Sequence, residues 1–384
     1  MRFSNLKTLL CLTFVSLLPV LTTSCVGDSN GVIDIPSLVL TDSANSRVYA
    51  IDSEDNGIYR INSDDNKVFK DKPLLDEEKG PILLPAFPKH AALASLPNAV
   101  SRIFVSGIDS PNPSNRIIVL DDDAVAGLRR ASFSPITVGG SSEDILSGMT
   151  LDTVHGLLFV SNASSGKVHV FDVNSGAEVV DSPVTIPGAP ARLSFDANLN
   201  KITVVDAAST LVYWIDPTHL SDPLLSFDTG LALRDAATAT NAQGSLLFVS
   251  GNAQNLVRVF KLNFADLPTS ILLSEILPPP ADQTFSEDSL ISGTLNQVAA
   301  GVLTDDQLAG FVTQSSGDFL ILHADDNLSK ISSLAVKVGA VSGEDIDFLR
   351  NADGQVTTVY YASPGVGTLT LINPLTNEFL GQIN

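Results

Sequence analysis

Three Glu-Asp pairs stand where copies of a repeated pattern begin: Glu143-Asp144, Glu287-Asp288 and Glu344-Asp345. Each runs into an isoleucine, Ile145, Ile291 or Ile346. Other copies of the pattern carry Lys89 and His90, Arg192, or Arg234 and Asp235 at this point. Carboxylates held together repel one another and resist sharing one charge state. A hard cation such as Ca²⁺ relieves that repulsion by taking several oxygen ligands. Basic neighbours relieve it too, and Arg192, Arg234 and Lys89 are available. The mixture of signs favours a charge-balanced ring without metal. Should a cation bind, Glu143, Asp144, Glu287, Asp288, Glu344 and Asp345 are its candidate ligands.

The rest of the chain offers little reactive chemistry. Its five histidines, at 90, 155, 169, 219 and 323, show none of the pairings that hold zinc. His169 and His323 read as strand residues that pack. The segment Asp52-Ser-Glu-Asp-Asn-Gly57 has a calcium-loop look, but it sits between two strands and lacks the closing bidentate Glu. Haem-attachment, nucleophile-elbow and phosphate-loop motifs are absent from the sequence. No cofactor is therefore expected, with Ca²⁺ as the possible ion. Trp214, the single tryptophan, lies in a strand and reads as core.

The elements that would position these charges are repeats. One copy reads Leu157-Leu-Phe-Val-Ser-Asn162 and then Lys167-Val-His-Val-Phe-Asp172. Others run Arg47 to Asn62, Arg102 to Asp121, Lys201 to Asp216, Leu246 to Lys261, Ala309 to His323 and Thr358 to Asn373. Alternating β-branched and aromatic residues predict strands, and the Asn, Asp, Gly and Ser between them predict tight turns. Anchors at 49, 104, 159, 204, 248, 311 and 360 recur roughly every 50 residues. A shorter strand precedes each hairpin, such as residues 191–195 or 346–349, and a fourth often follows, such as 378–382. That predicts an all-β, seven-bladed β-propeller of four-stranded antiparallel blades. The blades fall at about 37–75, 85–139, 143–187, 188–230, 231–280, 286–339 and 343–384, with a protruding loop over 277–290. Their entries would ring one mouth of the central channel. The last copy owns its fourth strand, so closure of the ring stays open at this level.

The segment LFVSNASSGKVHVFDVNSGAEV, residues 158–179, resembles the YVTN-type β-propeller repeat family, a relative of lactonase-like seven-bladed propellers. The resemblance extends over most of residues 37–384. It implies the fold strongly and an activity weakly, because propellers host many unrelated functions. Lys261 and His323 depart from the acid or amide that ends the other copies.

The N-terminus reads as an export signal. Arg2 and Lys7 precede the apolar stretch Leu9 to Val20, which is short of the roughly 20 residues that span a bilayer. Leu21-Thr-Thr-Ser-Cys25 then resembles the lipobox of bacterial lipoproteins, with Thr22 where that family usually has Leu. The resemblance implies cleavage after residue 24, lipid on Cys25 and a tether over 25–36. Cys25 is the only cysteine after that cut, so no internal disulfide can form. Val26 is not the Asp that retains some such proteins at the inner membrane. The expectation is an exported outer-membrane or cell-surface lipoprotein, with a periplasmic face as the other placement.

The net charge is −21, with 22 basic against 43 acidic residues and a pI near 4.4. Nucleic-acid binding needs clustered cations, so it is set aside. The sequence thus points to a monomeric binding or scaffold propeller, touching the membrane only through its lipid and holding a protein or polysaccharide partner. The alternative is a lactonase-like hydrolase with a divalent metal at the acidic mouth.

Overall fold

The computed structural model describes residues 36–53, 57–69, 84, 87–108, 115–124, 126–140, 144–252, 255–277, 290–337 and 343–383. The signal segment, Cys25, the tether, Glu143, Glu287, Asp288 and nearly all of the 277–290 loop lie outside them.

One local rule builds each hairpin. In the third blade Leu157–Asn162 pairs antiparallel with Lys167–Asp172, Leu158 opposite Phe171 and Val160 opposite His169. The strand-ending Asn or Asp then ties the next turn. Asn162 Oδ1 accepts the Ser165 N–H at 3.2 Å, and Asp172 Oδ1 accepts those of Asn174 and Ser175 at 3.1 and 2.8 Å. Such side chains imitate a backbone turn, which is why the repeats end in them. The two departures keep the device and move it. Asn263 follows Lys261 and accepts the Ala265 N–H, while Asp325 follows His323 and accepts those of Ser329 and Lys330.

The strands form seven antiparallel sheets, in each of which spatial order follows chain order. Six have four strands; in the second, Gly127–Arg130 and Ile136–Thr137 share one edge of Arg116–Asp123. The innermost strands are Pro36–Asp42, Phe87–Leu96, Leu146–Asp152, Pro190–Asp196, Leu233–Asn241, Leu295–Val302 and Asp345–Arg350. This is the all-β seven-bladed propeller that the repeats predicted.

The apolar core is divided by the blades into seven clusters, one in each seam. Period-two alternation sends Tyr49, Ile51 and Ile58 of the first blade toward the second, and Val48, Ala50 and Tyr59 toward the seventh. Trp214 is buried in the seam of the fourth and fifth blades, its indole N–H 3.3 Å from Thr238 Oγ1. Each buried aliphatic or aromatic side chain contributes about 1.5–3 kcal/mol, and neither face of a blade could be dry without its neighbours. The ring closes without exchange of strands among the described residues. The first and last blades share a core of Val39, Val48, Tyr59, Tyr360, Leu369 and Ile383, and Tyr360 OH donates to Asn66 Oδ1 at 2.7 Å.

Candidate binding channel

The innermost strands surround a channel of about 1490 Å³. Six of them carry a β-bulge near their start, at Pro36/Leu38, Pro88/His90, Leu146/Gly148, Pro190/Leu193, Leu233/Asp235 and Leu295/Val298. A bulge re-aims the side chains beside it. Here it sets Leu38, His90, Gly148, Arg192, Asp235 and Gln297 at one level of the channel, and Asp345, whose strand starts without a bulge, completes the seven.

Neighbouring blades are joined at this level by a stepped set of acceptors. Asp235 Oδ2 accepts the Val298 N–H at 2.9 Å, Gln297 Oε1 accepts that of Ile346 at 2.8 Å, and Asp345 Oδ2 accepts that of Val39 at 2.8 Å. Each acceptor reaches the residue just after the ring member of the following blade. One layer deeper Asp347 Oδ2 accepts the Thr41 N–H at 2.7 Å. Edge N–H groups at a channel wall need partners, and these side chains supply them. The carboxylates of the mouth are thus committed to the backbone.

Arg192 breaks the series. A guanidinium has five donors and no acceptor, so it cannot cap an N–H. The Ala236 N–H that an acceptor at 192 would reach is taken by Asp235 Oδ1 at 2.8 Å. Among the described residues the Arg192 guanidinium has no hydrogen bond and no ion pair, although it is half-buried and lines the channel.

Its field acts on three neighbours. Burial pushes the Asp235 carboxyl up to about 6, against the opposing pull of Arg192 and two backbone N–H groups. Burial likewise pushes Asp345 up to about 7, with Asp347 adding to it and Arg192 opposing. His90 goes the other way: desolvation, then Arg192 and Lys89, bring it down to about 3. At neutral pH the ring therefore holds an uncharged imidazole and a carboxyl near its own midpoint around one cation.

The structure brings together His90, Arg192, Asp235 and Asp345, with exposed Lys89 beside them. It does not bring Asp144, Arg234 or Glu344, and Glu143, Glu287 and Asp288 lie outside the described residues. Glu344 and Arg234 are exposed outside the lining, Arg234 against Asn296 Oδ1 at 3.3 Å. Asp144 stands at Gly139, and Gly148 takes the place in the third blade that Asp345 takes in the seventh. Sequence reasoning missed Leu38, Gly148, Gln297 and Asp347. The second-strand residues Ser106, Ser161, Ser250 and Thr313, which face the ring, are the signal that could have located it. Among the described residues no three His, Cys, Asp or Glu side chains gather closely enough to hold a metal ion.

No family model matches the chain, and no curated protein matches it in sequence. Solved structures do match in shape. A protein from Lactobacillus plantarum superposes with a TM-score of 0.59 at 12% identity, over 91% of this chain and 94% of that one. The WD40 repeats of RRP9 give 0.59 at 12%, over 88% of each. A functionally unknown protein from Desulfotomaculum acetoxidans gives 0.56 at 10%, over 90% and 94%. At such identities the likeness is one of fold, and the fold is the β-propeller.

Proposed function

We propose that this chain is an exported, lipid-anchored propeller that binds a partner through an anionic group seated on Arg192. The single observation behind it is the unpartnered guanidinium inside the channel, ringed by acids that already serve the backbone. An arginine fork matches a carboxylate or phosphate with two parallel hydrogen bonds. The channel is wide enough for the end of a polymer rather than a single small ion. A protein side chain or terminus and a uronate-bearing polysaccharide both carry such a group, and the propeller fold serves as a scaffold for either. The lipid on Cys25 would hold the chain at a membrane surface, and the strongly acidic composition would turn anions away from all but the channel.

Binding of an acidic peptide and of polygalacturonate, measured by calorimetry on the protein and on Arg192→Gln, tests the reading. Binding of one ligand that the substitution abolishes supports it and names the partner class. Equal binding by both proteins, or none by either, refutes it.

A further inference from the structure

The inner edges of the blades are finished unevenly, and the difference falls on the strand that carries Arg192. In the first blade the Val39 and Thr41 N–H groups turn away from their hairpin and are taken by Asp345 and Asp347 of the seventh. Asp42 opposite Arg47 and Asp196 opposite Lys201 close hairpins of equal length, so Leu193 and Phe195 hold in the fourth blade the places of Val39 and Thr41 in the first. Their N–H and C=O groups therefore face the channel, as those of alternate residues on an antiparallel edge do. Val298 and Ile346 are capped across their seams, and Ala236 by its own blade. Among the described residues no side chain caps the N–H of Leu193 or Phe195, and none donates to their carbonyls. The cap for Leu193 would have to come from the preceding ring member, which is Gly148 and has no side chain to offer.

An open strand edge is a template for another strand. The channel runs past this one from Lys89 at one mouth to Asn198 and Asp353 at the other. A chain entering at the Asn198 end would run antiparallel to Pro190–Asp196. Its last residue, opposite Leu193, would donate its N–H to the Leu193 carbonyl, and one oxygen of its carboxylate would accept the Leu193 N–H. The residue two positions earlier would make the same pair of bonds with Phe195, since like-facing residues of a strand recur about 7 Å apart. The second carboxylate oxygen would meet the guanidinium of Arg192, one residue nearer the mouth, whose donors have no partner among the described residues. A chain end needs the width of one strand where a loop needs two. A uronate supplies the carboxylate but lacks the alternating N–H and C=O groups that this edge pairs with.

We infer that the channel takes the carboxyl-terminal segment of a protein as an added strand on the Leu193–Phe195 edge, with its terminal carboxylate on Arg192. This rests on the anion site proposed above and names the ligand that the site receives.

The test is fluorescence anisotropy with a fluorescein-labelled hexapeptide, Ser-Thr-Val-Thr-Val-Val, on the protein and on Arg192→Gln. The peptide is used as the free acid, as the carboxyl-terminal amide, and as the free acid N-methylated at its fourth or at its fifth residue. The fourth N–H is the one that pairs with Phe195, and the fifth points away from the edge. Amidation, Arg192→Gln and methylation at the fourth residue are each expected to weaken binding about tenfold or more, and methylation at the fifth by less than about twofold. Equal effects of the two methylations overturn the strand pairing and leave Arg192 an anion site. Calorimetry with polygalacturonate supplies the other arm. Its binding, abolished by Arg192→Gln, with no peptide bound, overturns the inference in favour of a glycan and likewise spares the anion site. Absence of any Arg192-dependent binding overturns both readings.

Discussion

Arg60 Nη1 donates to both carboxylate oxygens of Asp122, at 3.0 and 2.8 Å, across the seam between the first and second blades. Tyr49 OH donates to the same carboxylate at 2.7 Å, and Arg47 Nη1 donates to the Asp122 backbone carbonyl at 3.0 Å. Asp122 is fully buried, so three groups of the first blade meet on a charge of the second that water cannot reach. Burial, and the Asp122 carboxylate after it, push the Tyr49 phenol well above its usual range, so it stays a donor.

Asp122→Ala is expected to destabilise the protein by about 3–5 kcal/mol, because it leaves two arginines facing a dry seam. Asp122→Asn, which keeps the shape and one acceptor, is expected to cost less. Urea unfolding of the three proteins measures this. A loss under about 1 kcal/mol for the alanine variant would mean that water replaces the carboxylate.

Stability should depend on pH through the channel ring. Asp235 and Asp345 titrate near 6 and 7 in the fold, above the roughly 4 of an unfolded chain. The folded state holds protons that the unfolded state has lost, so their contribution is complete below about pH 4 and disappears as pH rises through 6 and 7. His90 has the opposite sign. Its depressed value near 3 means that stability is lost as pH falls from about 6.5. Melting temperatures from pH 5 to 8 should therefore fall less steeply for Asp345→Asn than for the parent. Identical slopes would place the Asp345 carboxyl in the ordinary carboxylate range.

Gly148 packs where no side chain fits. A Cβ there would lie 2.2 Å from the carbonyl oxygen of Ala191, in the next blade. Ser161 Oγ already donates to that oxygen at 2.5 Å. Gly148→Ala must push the third and fourth blades apart, and a cost of about 1–3 kcal/mol is expected from thermal or urea unfolding. A neutral result would show that the bulge can absorb a methyl group.

The blades were legible because their physics is local. Alternation in Leu157–Asn162 and Lys167–Asp172, with Asx turns between, is written in neighbouring residues. The channel ring was legible only in part. Asp345 begins its strand directly after Glu344, so the Asp of that pair lies at the ring while its Glu stays exposed outside the lining. Asp144 sits ahead of a bulge at Leu146/Gly148 and lands beside Gly139 instead. Gln297 has no charge to advertise it, and its role appears only once Ile346 of the next blade is beside it. Contacts between blades join residues some 50 positions apart, and no periodicity along one chain segment encodes them.

Ca²⁺ is expected to leave the melting temperature unchanged. Among the described residues, the mouth carboxylates already accept backbone N–H groups, and a cation would have to displace those bonds. A rise with Ca²⁺ that EDTA reverses would point to the pairs Glu143-Asp144 and Glu287-Asp288 and would revive a metal-dependent hydrolase.

The most direct test of the account is the melting temperature of the protein and of Arg192→Gln in citrate, phosphate and chloride at matched ionic strength. Kosmotropic anions stabilise most proteins without a site, so only the difference between the two proteins counts. A stabilisation by citrate or phosphate that the parent shows and Arg192→Gln lacks is the expected result, since binding to the folded state must raise its stability. Equal stabilisation of both proteins would contradict it and leave Arg192 a spectator in the channel.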